Sequence, residues 1–422
     1  MKSIAGVFCI FIGVTASHGA NWPEWRGPNG DGTASEASLP SSWSRTENVT
    51  WKVALPEAGN STPVVWGDRV FLTQAVDDGR KRQIICFDRK TGDRRWVKTV
   101  GFSGSEATHE TNPHCSASPA TDGERVVVSF ASAGLHCFDM DGGELWHRDF
   151  GKQAHIWGNG ASPTLHGDLV YLNFGPGERT FLVAVEKRTG KTVWKNDEAG
   201  GGFGEKKPGQ DTRNLWVGSW STPIFRRVEG RDELIMSWPR RAVGLNPLTG
   251  KEYWECQGLN PLVYTSPIYE AGVVVSMGGY SGSALAVRAG GRGDVTPSRR
   301  LWQLPKTPQR IGSGVFHEGH VYIVNDRGTA HCINAENGST VWEERLKGPG
   351  KNSRNWSSLV LNNGMLHAVN WSGDAFAFPA SPKFHAPTVN SIGEKTIASI
   401  AVSDGQIFIR SHENLWCIGA RR

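Results

Sequence analysis

Histidine and cysteine side chains cluster in one short segment of the 422-residue chain, where they could bind a metal ion. The run His-Glu-Thr-Asn-Pro-His-Cys at 109–115 contains His109, His114 and Cys115, and His155 follows later in the chain. Imidazole nitrogen and thiolate sulfur are the ligands that Zn²⁺ prefers. The spacing lacks the paired Cys-x-x-Cys or His-x-x-x-His pattern of a strong zinc motif, and a polar loop explains the same residues. We therefore expect no metal and keep His109, His114 and Cys115 as a weak zinc candidate.

A second group of side chains has the composition of a ligand-binding site. Aromatic, arginine and amide residues fill loops at 155–159, 213–220, 262–264, 309–312 and 354–356. These loops share one phase of a repeat, so we expect them to converge on one mouth of a central channel. Such a face suits a peptide, a sugar or a carboxylated ligand, although aromatic rings also serve simply to fill a channel. The predicted binding residues are His155, Trp157, Asn159, Arg213, Trp216, Trp220, Tyr264, Arg310, Arg354 and Trp356.

The elements that position these loops come from the repeat itself. A small residue, an acidic or Asn residue, a turn such as Thr-Gly and then a Trp recur every 40 to 60 residues, as in 86–96 and 184–194. Units of this size must stack on their neighbours to bury their faces, as the blades of a β-propeller do. We expect each repeat Trp to wedge between adjacent blades and to donate its N–H to a neighbouring carbonyl. The predicted blade-docking residues are Trp51, Trp96, Trp146, Trp194, Trp254, Trp302 and Trp342.

Each unit predicts a four-stranded blade. It begins with a small-residue and proline step, as at 61–63, 117–119 and 265–267, where proline suits the first residues of a strand near the axis. A Gly-Asp or Asp-Gly turn and an alternating apolar strand follow. The third strand carries the small residue of the repeat, and the fourth is expected to end on the Trp.

Counting the units predicts an eight-bladed ring. Six complete units end on a Trp, a divergent seventh extends from about 356 to 397, and 399–418 supplies only three strands. The strand at 48–53, with Trp51 at the repeat position, is predicted to complete the last blade, so that no sheet edge stays exposed. The predicted fold class is all-β, an eight-bladed propeller of antiparallel blades over 48–422, with 21–47 as an extension that packs on it.

The amino terminus has the layout of an export signal. Lys2 precedes an apolar run at 4–14 that is too short to span a bilayer, and small residues follow at 16–20. We expect residues 1–20 to be a signal peptide and the mature protein to be a periplasmic or extracellular monomer with no integral membrane segment. The net charge of the full 422-residue chain, +5, is spread over interspersed basic and acidic residues, which argues against a nucleic-acid partner.

Six cysteines follow the predicted signal peptide. Four of them occupy the small-residue position of the repeat, and equivalent positions in neighbouring blades should lie further apart than the roughly 7 Å Cα limit of a disulfide. We therefore expect four free, buried thiols: Cys86, Cys137, Cys332 and Cys417. Cys115 and Cys256 lie off the repeat, and a bond between these two stays open.

The repeat phrase, the eightfold count and the opening Asn-Trp-Pro-Glu-Trp-Arg-Gly-Pro-Asn-Gly-Asp-Gly at 21–32 resemble the pyrroloquinoline-quinone (PQQ)-type repeat propellers. The resemblance covers 21–422 and is strongest toward exported bacterial proteins of unassigned activity. The same repeat builds quinoprotein alcohol dehydrogenases and the propeller lipoprotein of the outer-membrane β-barrel assembly machinery. It therefore implies the fold and leaves the function open.

For a quinoprotein, the resemblance implies PQQ and Ca²⁺ held at the axis by a Glu, an Asn and a catalytic Asp, with a Trp beneath the quinone and commonly an adjacent Cys-Cys disulfide. The sequence has no Cys-Cys pair and no matching set in that order. Asn159 and Asp211 offer loop oxygen atoms for calcium, although such residues are usually just solvated.

We predict a noncatalytic exported scaffold that binds an envelope protein or a small ligand, with no cofactor and no identified catalytic residue. One alternative is a PQQ-dependent oxidoreductase with calcium. Another is a carbohydrate-binding or carbohydrate-processing protein, which exposed Trp residues suggest.

Overall fold

The structure, a computed structural model, describes residues 21–35, 38–153, 155–177, 179–198, 202–203 and 216–419, with the backbone alone at 202, 203 and 216. The predicted signal peptide, Asp211 and Arg213 lie outside the described residues. Eight four-stranded antiparallel sheets form a ring, which confirms the predicted eight-bladed propeller. No helix within the described residues is both long and apolar enough to cross a membrane.

The first four blades follow the chain in order, each starting with its innermost strand. Blade 1 consists of Val64–Trp66, Arg69–Val76, Lys81–Asp88 and Arg94–Gly101. Blade 2 consists of Ala120–Thr121, Arg125–Ser129, Leu135–Asp139 and Glu144–Arg148. Blade 3 consists of Thr164–His166, Leu169–Phe174, Phe181–Glu186 and Thr192–Asp197. Blade 4 consists of Ile224–Val228, Arg231–Trp238, Arg241–Leu245 and Glu252–Gln257.

The remaining blades continue the ring back to the first. Blade 5 consists of Ile268–Glu270, Val273–Met277, Ala284–Arg288 and Arg300–Leu304. Blade 6 consists of Val315–His317, His320–Val324, Thr329–Asn334 and Thr340–Arg345. Blade 7 consists of Val360–Asn362, Met365–Val369, Asp374–Pro379 and Thr388–Ser391. Blade 8 consists of Ala401–Ser403, Gln406–Arg410, Asn414–Ile418 and, from the other end of the chain, Val49–Ala54.

A few short elements decorate the ring. Thr33–Ala34 adds a parallel strand beside the inner strand of blade 7, and Gly293–Asp294 adds one beside the outer strand of blade 4. Gly202–Phe203, Trp216–Ser219 and Leu262–Val263 form a small three-stranded sheet. The helical segments are the 3₁₀ turn Ala131–Ala133 and the α-helical turn Thr296–Arg299.

The ring closes as the sequence predicts. Val49–Ala54 pairs antiparallel with Asn414–Ile418, and Trp51 lies opposite Cys417. The amino-terminal strand thus occupies the outer position of blade 8, where it covers the edge that the carboxyl-terminal strand would otherwise expose.

Each repeat Trp lies near the beginning of its outer strand, so the prediction that this strand ends on the Trp is wrong. In blade 1 the strand continues to Gly101, well past Trp96. The pairing register shifts just before Trp96, and the same irregularity precedes the repeat Trp in blades 2 to 6 and 8. A β-bulge at this point bends the strand and re-aims the indole toward the next blade.

The small residue of the repeat lies directly opposite the Trp. Cys86 faces Trp96 and Ala184 faces Trp194 across the third and fourth strands. Paired side chains on one face of a sheet are close neighbours, so a small residue leaves room for the indole. Six of the seven rings donate Nε1–H to a carbonyl of the next blade at 2.7 to 3.0 Å: Trp51 to Arg89, Trp96 to Met140, Trp146 to Lys187, Trp194 to Pro247, Trp302 to Ala335 and Trp342 to Ser381.

Trp254 departs from this pattern. Its Nε1–H donates to Oε2 of the buried Glu233 at 2.7 Å, within its own blade. The residue opposite is Gly244, and a Cβ there would lie 2.2 Å from Trp254 Nε1. The absence of a side chain at Gly244 lets the indole fold over its own sheet. The extra strand Gly293–Asp294 then covers the edge beside Trp254.

The described cysteines after residue 20 are all buried and free, including the four at the repeat position. Cys115 packs in the core between blades 1 and 2, whereas Cys256 packs in the core between blades 4 and 5. The bond left open between these two is therefore absent.

Candidate functional site

A ring of hydroxyl groups joins the blades around the axis. A Ser or Thr at the start of each blade, which directly precedes the proline in blades 1 to 5, donates its backbone N–H to the side-chain oxygen of its counterpart in the next blade, as Ser118 does to Ser162 at 2.9 Å. Seven such bonds link blades 1 to 8 in order through Thr62, Ser118, Ser162, Thr222, Ser266, Ser313, Ser358 and Ser399. The small residue of this step is thus a hydroxyl residue because it must accept an inter-blade hydrogen bond.

Residues 21–34, here called the axial plug, cross the end of the channel that lies opposite the mouth. Trp22 forms an antiparallel bridge with Val65 of blade 1, and Thr121 of blade 2 donates its N–H to the carbonyl of Pro23. At the end of the segment, Leu361 of blade 7 donates to the carbonyl of Gly32 at 2.8 Å. The plug therefore contacts the inner strands of several blades and closes one end of the channel.

Buried charged groups anchor the axial plug. Arg26 is 2% exposed and donates to the carbonyls of Asp31, Ser313 and Gly314. Asp31 pairs in turn with Arg226 of blade 4. Burial lowers the pKa of Arg26 to about 10, and the neighbouring Asp31 partly opposes that shift.

Glu24 is a further charged group of the plug, and it is partly buried. It accepts hydrogen bonds from the hydroxyl of Thr164 and the backbone N–H of Leu165 in blade 3. Burial raises the pKa of Glu24 from 4.5 to about 7, against the lowering effect of these two bonds and of Arg226. The carboxyl group therefore titrates near neutral pH.

A cavity of about 170 Å³ remains between the axial plug and the open mouth. All eight blades contribute to its wall through residues at or beside the hydroxyl ring, and Trp25 of the plug reaches it from the closed end. The described wall combines aromatic rings with Ser, Thr and Asn side chains and contains no charged side chain. The cavity is therefore an uncharged, blind pocket at the axis.

Aromatic rings form a belt around the mouth. Trp220 stacks on Tyr264 with 4.6 Å between ring centroids, and Tyr264 stacks on Tyr280 at 5.0 Å. Arg310 covers Tyr280 at 4.2 Å and pairs with Asp326 at 3.2 Å. The belt continues through the indole N–H of Trp356, which donates to Asp326. Because each ring is held by a neighbour from another blade, the wall of the pocket is preorganised.

The structure brings together only part of the predicted binding set. Trp157, Trp220, Tyr264 and Trp356 line the pocket, whereas Arg213 and the side chain of Trp216 lie outside the described residues.

The other predicted residues support the wall from behind or at the rim. His155 is buried, packs edge-on against Trp220 at 5.0 Å, and has a pKa lowered to about 4 by burial. Asn159 donates to the carbonyl of Gly175. Arg354 lies over the ring of Trp371 at 5.3 Å.

Sequence reasoning missed several wall residues. Asn60 and Asn112 lie outside the loops that were singled out, and Tyr280 sits in a connection between the second and third strands. Trp25 belongs to the segment that the sequence predicts only as an extension packed on the propeller. The signal that could have found Trp25 is the dense run of Trp, Pro and Gly at 21–32, which is unusual for a loosely attached tail.

The zinc candidate is not assembled as a metal site. His109 faces Thr111 and Trp157, whereas His114 lies 3.4 Å from the guanidinium of Arg82. Burial raises the pKa of the Cys115 thiol to about 12, so it is a poor thiolate ligand. In the part of the chain that the structure describes, no group of three or more His, Cys, Asp and Glu residues could hold a metal ion.

The wall of the pocket does not match a PQQ and calcium site. Trp25 offers an indole at the closed end, as the resemblance implies for a quinone. However, Ca²⁺ is held largely by carboxylate oxygens, and the described wall has neither Glu nor Asp. The described residues thus provide one feature of a quinoprotein site and lack its metal ligands.

Solved structures with the same architecture have different activities. BamB from Moraxella catarrhalis aligns with a TM-score of 0.58 at 12% identity, over 89% of this chain and 98% of that one. A europium-containing methanol dehydrogenase aligns with a TM-score of 0.70 at 11% identity, over 95% of this chain and 98% of that one. A quinohemoprotein alcohol dehydrogenase from Comamonas testosteroni aligns with a TM-score of 0.67 at 12% identity, over 96% of this chain and 81% of that one. At such low identity these likenesses show the fold alone.

Comparison of the sequence gives the family. No curated protein matches it significantly. The family model described as outer membrane protein assembly factor BamB matches residues 42–171, 101–290 and 293–407, which together cover most of the chain. The chain therefore belongs to this BamB family of repeat propellers.

Proposed function

We propose that the protein is a noncatalytic binding protein of the cell envelope and that its axial pocket receives a small ligand. The observation that carries the proposal is the uncharged, aromatic pocket, which all eight blades line and the axial plug closes at one end. Ligand sites are typically concave, with aromatic walls and a few placed polar groups. A pocket with one open end favours capture of a ligand over passage through the ring.

The chemistry of the wall favours recognition over turnover. General acid–base and nucleophilic catalysis use His, Cys, Asp, Glu or Lys side chains placed against the substrate. The described wall contains none of these, and its hydroxyl groups have no base beside them there. The aromatic rings and the Ser, Thr and Asn side chains of the wall are therefore better suited to binding a ligand than to catalysis.

Export to the cell envelope is supported by the predicted signal peptide at 1–20 and by the family. A protein partner at the mouth is the second occupant that this family suggests. The volume of about 170 Å³ suits a small ligand, whereas a protein partner would dock on the rim of the mouth. A quinone-dependent oxidoreductase stays the alternative from another class, and the indole of Trp25 is the feature of the described wall that suits it.

The proposal can be tested by filling the pocket without removing any wall residue. A Cβ on Gly160 would meet only Cδ1 of Trp220, at 3.6 Å, so Gly160→Leu should project a side chain into the pocket without backbone strain. Gly101→Leu is the matched control, because a Cβ there meets nothing within 4 Å. A ligand that binds the native state raises its melting temperature.

The assay is a thermal-shift series with neutral oligosaccharides, short peptides, and PQQ with calcium chloride. We expect one class to raise the melting temperature of the wild-type and Gly101→Leu proteins but not that of Gly160→Leu. If every class shifts all three proteins equally, or none at all, the axial pocket is not the binding site. Dye reduction with PQQ and an alcohol that Gly160→Leu abolishes would establish the oxidoreductase instead.

A further inference from the structure

We infer that the axial pocket binds one unit of a neutral saccharide, an inference that rests on the proposed function and names its ligand class. Three properties of the wall lead to it: hydroxyl groups with protons to donate, an amide oxygen without a partner, and aromatic rings in a setting without charge.

The hydroxyl ring supplies the donors. Ser162, Ser358 and Ser399 line the pocket, and each accepts a backbone N–H from the preceding blade. No acceptor for their own O–H protons is present among the described residues. A hydroxyl has one proton to donate and rotates to suit its partner, so these groups can donate to ligand oxygens without breaking the inter-blade bonds.

An amide side chain supplies an acceptor. Asn60 borders the pocket and donates Nδ2–H to the carbonyl of Thr111 at 2.9 Å, while its Oδ1 has no hydrogen-bond partner among the described residues. A buried polar atom left unpaired is costly, so a ligand whose O–H donates to Oδ1 would bind more tightly than a ligand that leaves Oδ1 unpaired. The ligand therefore has groups that both donate and accept, as sugar hydroxyls do.

The aromatic rings select the body of the ligand. Trp25 at the closed end and Trp157 and Trp356 in the wall present indole surface between these polar groups. A sugar ring has faces of C–H groups edged by hydroxyls, and such faces pack on aromatic rings. A purely apolar ligand would leave the hydroxyl protons of the ring and Oδ1 of Asn60 without hydrogen-bond partners.

The absence of charge excludes other ligand classes. A carboxylated ligand such as PQQ would enter a described wall that offers it no cation, and a cationic ligand would find no carboxylate. Burying an unpaired charge is far more costly than burying a hydrogen-bonded hydroxyl. Of the described arginines near the rim, Arg310 is paired with Asp326 and Arg354 lies over the ring of Trp371. A neutral ligand is the class that these groups accommodate.

The test uses a broad array of immobilised glycans, neutral and acidic, probed with labelled wild-type, Gly160→Leu, Gly101→Leu and Trp25→Ala proteins. We expect binding to a subset of neutral glycans by the wild-type and Gly101→Leu proteins and none by Gly160→Leu. Trp25→Ala should bind the same glycans about tenfold or more weakly, and Trp25→Phe should restore most of the affinity because it keeps an aromatic face.

The outcomes separate this inference from the proposed function. If no neutral glycan binds, but a peptide or PQQ stabilises the wild-type protein and not Gly160→Leu, the saccharide inference is overturned and the proposed function stands. Neutral glycan binding that Gly160→Leu retains would overturn both, because the site would lie elsewhere. Binding to acidic glycans alone would also overturn the inference, since the described wall has no cation to pair with them.

Discussion

Glu24 should make the protein lose stability as the pH rises through the slightly acidic range. The residue is partly buried against blade 3, and the desolvation of its carboxyl group raises its pKa from 4.5 to about 7. Below pH 4.5 the group is protonated in both the folded and the unfolded chain, so it has no effect on the balance. Between these two pKa values the unfolded chain releases the proton and the folded chain keeps it. The free energy of unfolding therefore falls with pH until the group is ionised in both states.

The size of this effect follows from the shift. One pKa unit corresponds to about 1.4 kcal/mol. A rise of the pKa from 4.5 to about 7 thus costs the folded state on the order of 3 kcal/mol once the group is fully ionised. Most of that loss should occur between about pH 5 and pH 8.

The assay is urea unfolding of the wild-type and Glu24→Gln proteins across this range. Gln has nearly the same shape as Glu and no charge, so the Glu24→Gln protein should lack this pH-dependent loss in the free energy of unfolding. Desolvation lowers the pKa values of the buried His155 and of the partly buried His367 and His412 to about 4, so these groups destabilise the protein in the opposite direction, as the pH falls. They are common to both proteins and cancel in the difference. We expect the wild type to lose about 2 to 3 kcal/mol relative to Glu24→Gln between about pH 5 and pH 8.

An exposed carboxylate provides the control. Glu47→Gln lies on the surface and should track the wild-type protein at every pH. Parallel pH profiles for the wild-type and Glu24→Gln proteins would refute the reasoning, because they would mean that Glu24 is solvated and that the axial plug does not seal the channel end.

Three further predictions concern the ring itself. A Cβ at Gly244 would lie 2.2 Å from the ring of Trp254, so Gly244→Ala should displace the ring and lower the free energy of unfolding in urea by about 1 to 3 kcal/mol. Gly101→Ala, the control, should change it little. Equal stabilities of the two variants would disprove the close fit. Deleting residues 45–55 removes the outer strand of blade 8 and should cause aggregation in light scattering, so a monomer with unchanged melting would show another mode of closure. The six buried cysteines should resist alkylation in the native protein and all react after denaturation without reductant, since burial raises the pKa of Cys86 to about 12; any disulfide-linked peptide would contradict this.

The sequence predicted the ring because its signals are local and repeated. The Trp at each repeat, the small residue opposite and the turn between them recur often enough to count blades and to assign Trp51 to blade 8. The position of the Trp within its strand was wrong because a β-bulge changes the register without changing the residue pattern. The bond of Trp254 to Glu233 escaped prediction because Gly244 counts in the repeat as an ordinary small residue, and the sequence does not show that the missing Cβ lets the indole turn toward its own blade.

The candidate site was predicted in part for a related reason. Loops at one repeat phase converge, and this placed Trp157, Trp220, Tyr264 and Trp356 on one wall. The axial plug was not foreseen, because nothing local in this segment indicates that Arg26 is buried and Glu24 partly buried against the inner strands. Long-range contacts with Thr164 and Ser313 decide that placement.

The central claim, that the axial pocket binds a neutral saccharide, is tested most directly by isothermal titration calorimetry. The titrant is the glycan that the array selects, added to the wild-type and Gly160→Leu proteins. Because each chain has one axial pocket, the account predicts one glycan bound per wild-type chain and no heat of binding with Gly160→Leu. Binding of equal affinity and stoichiometry to both proteins would contradict it.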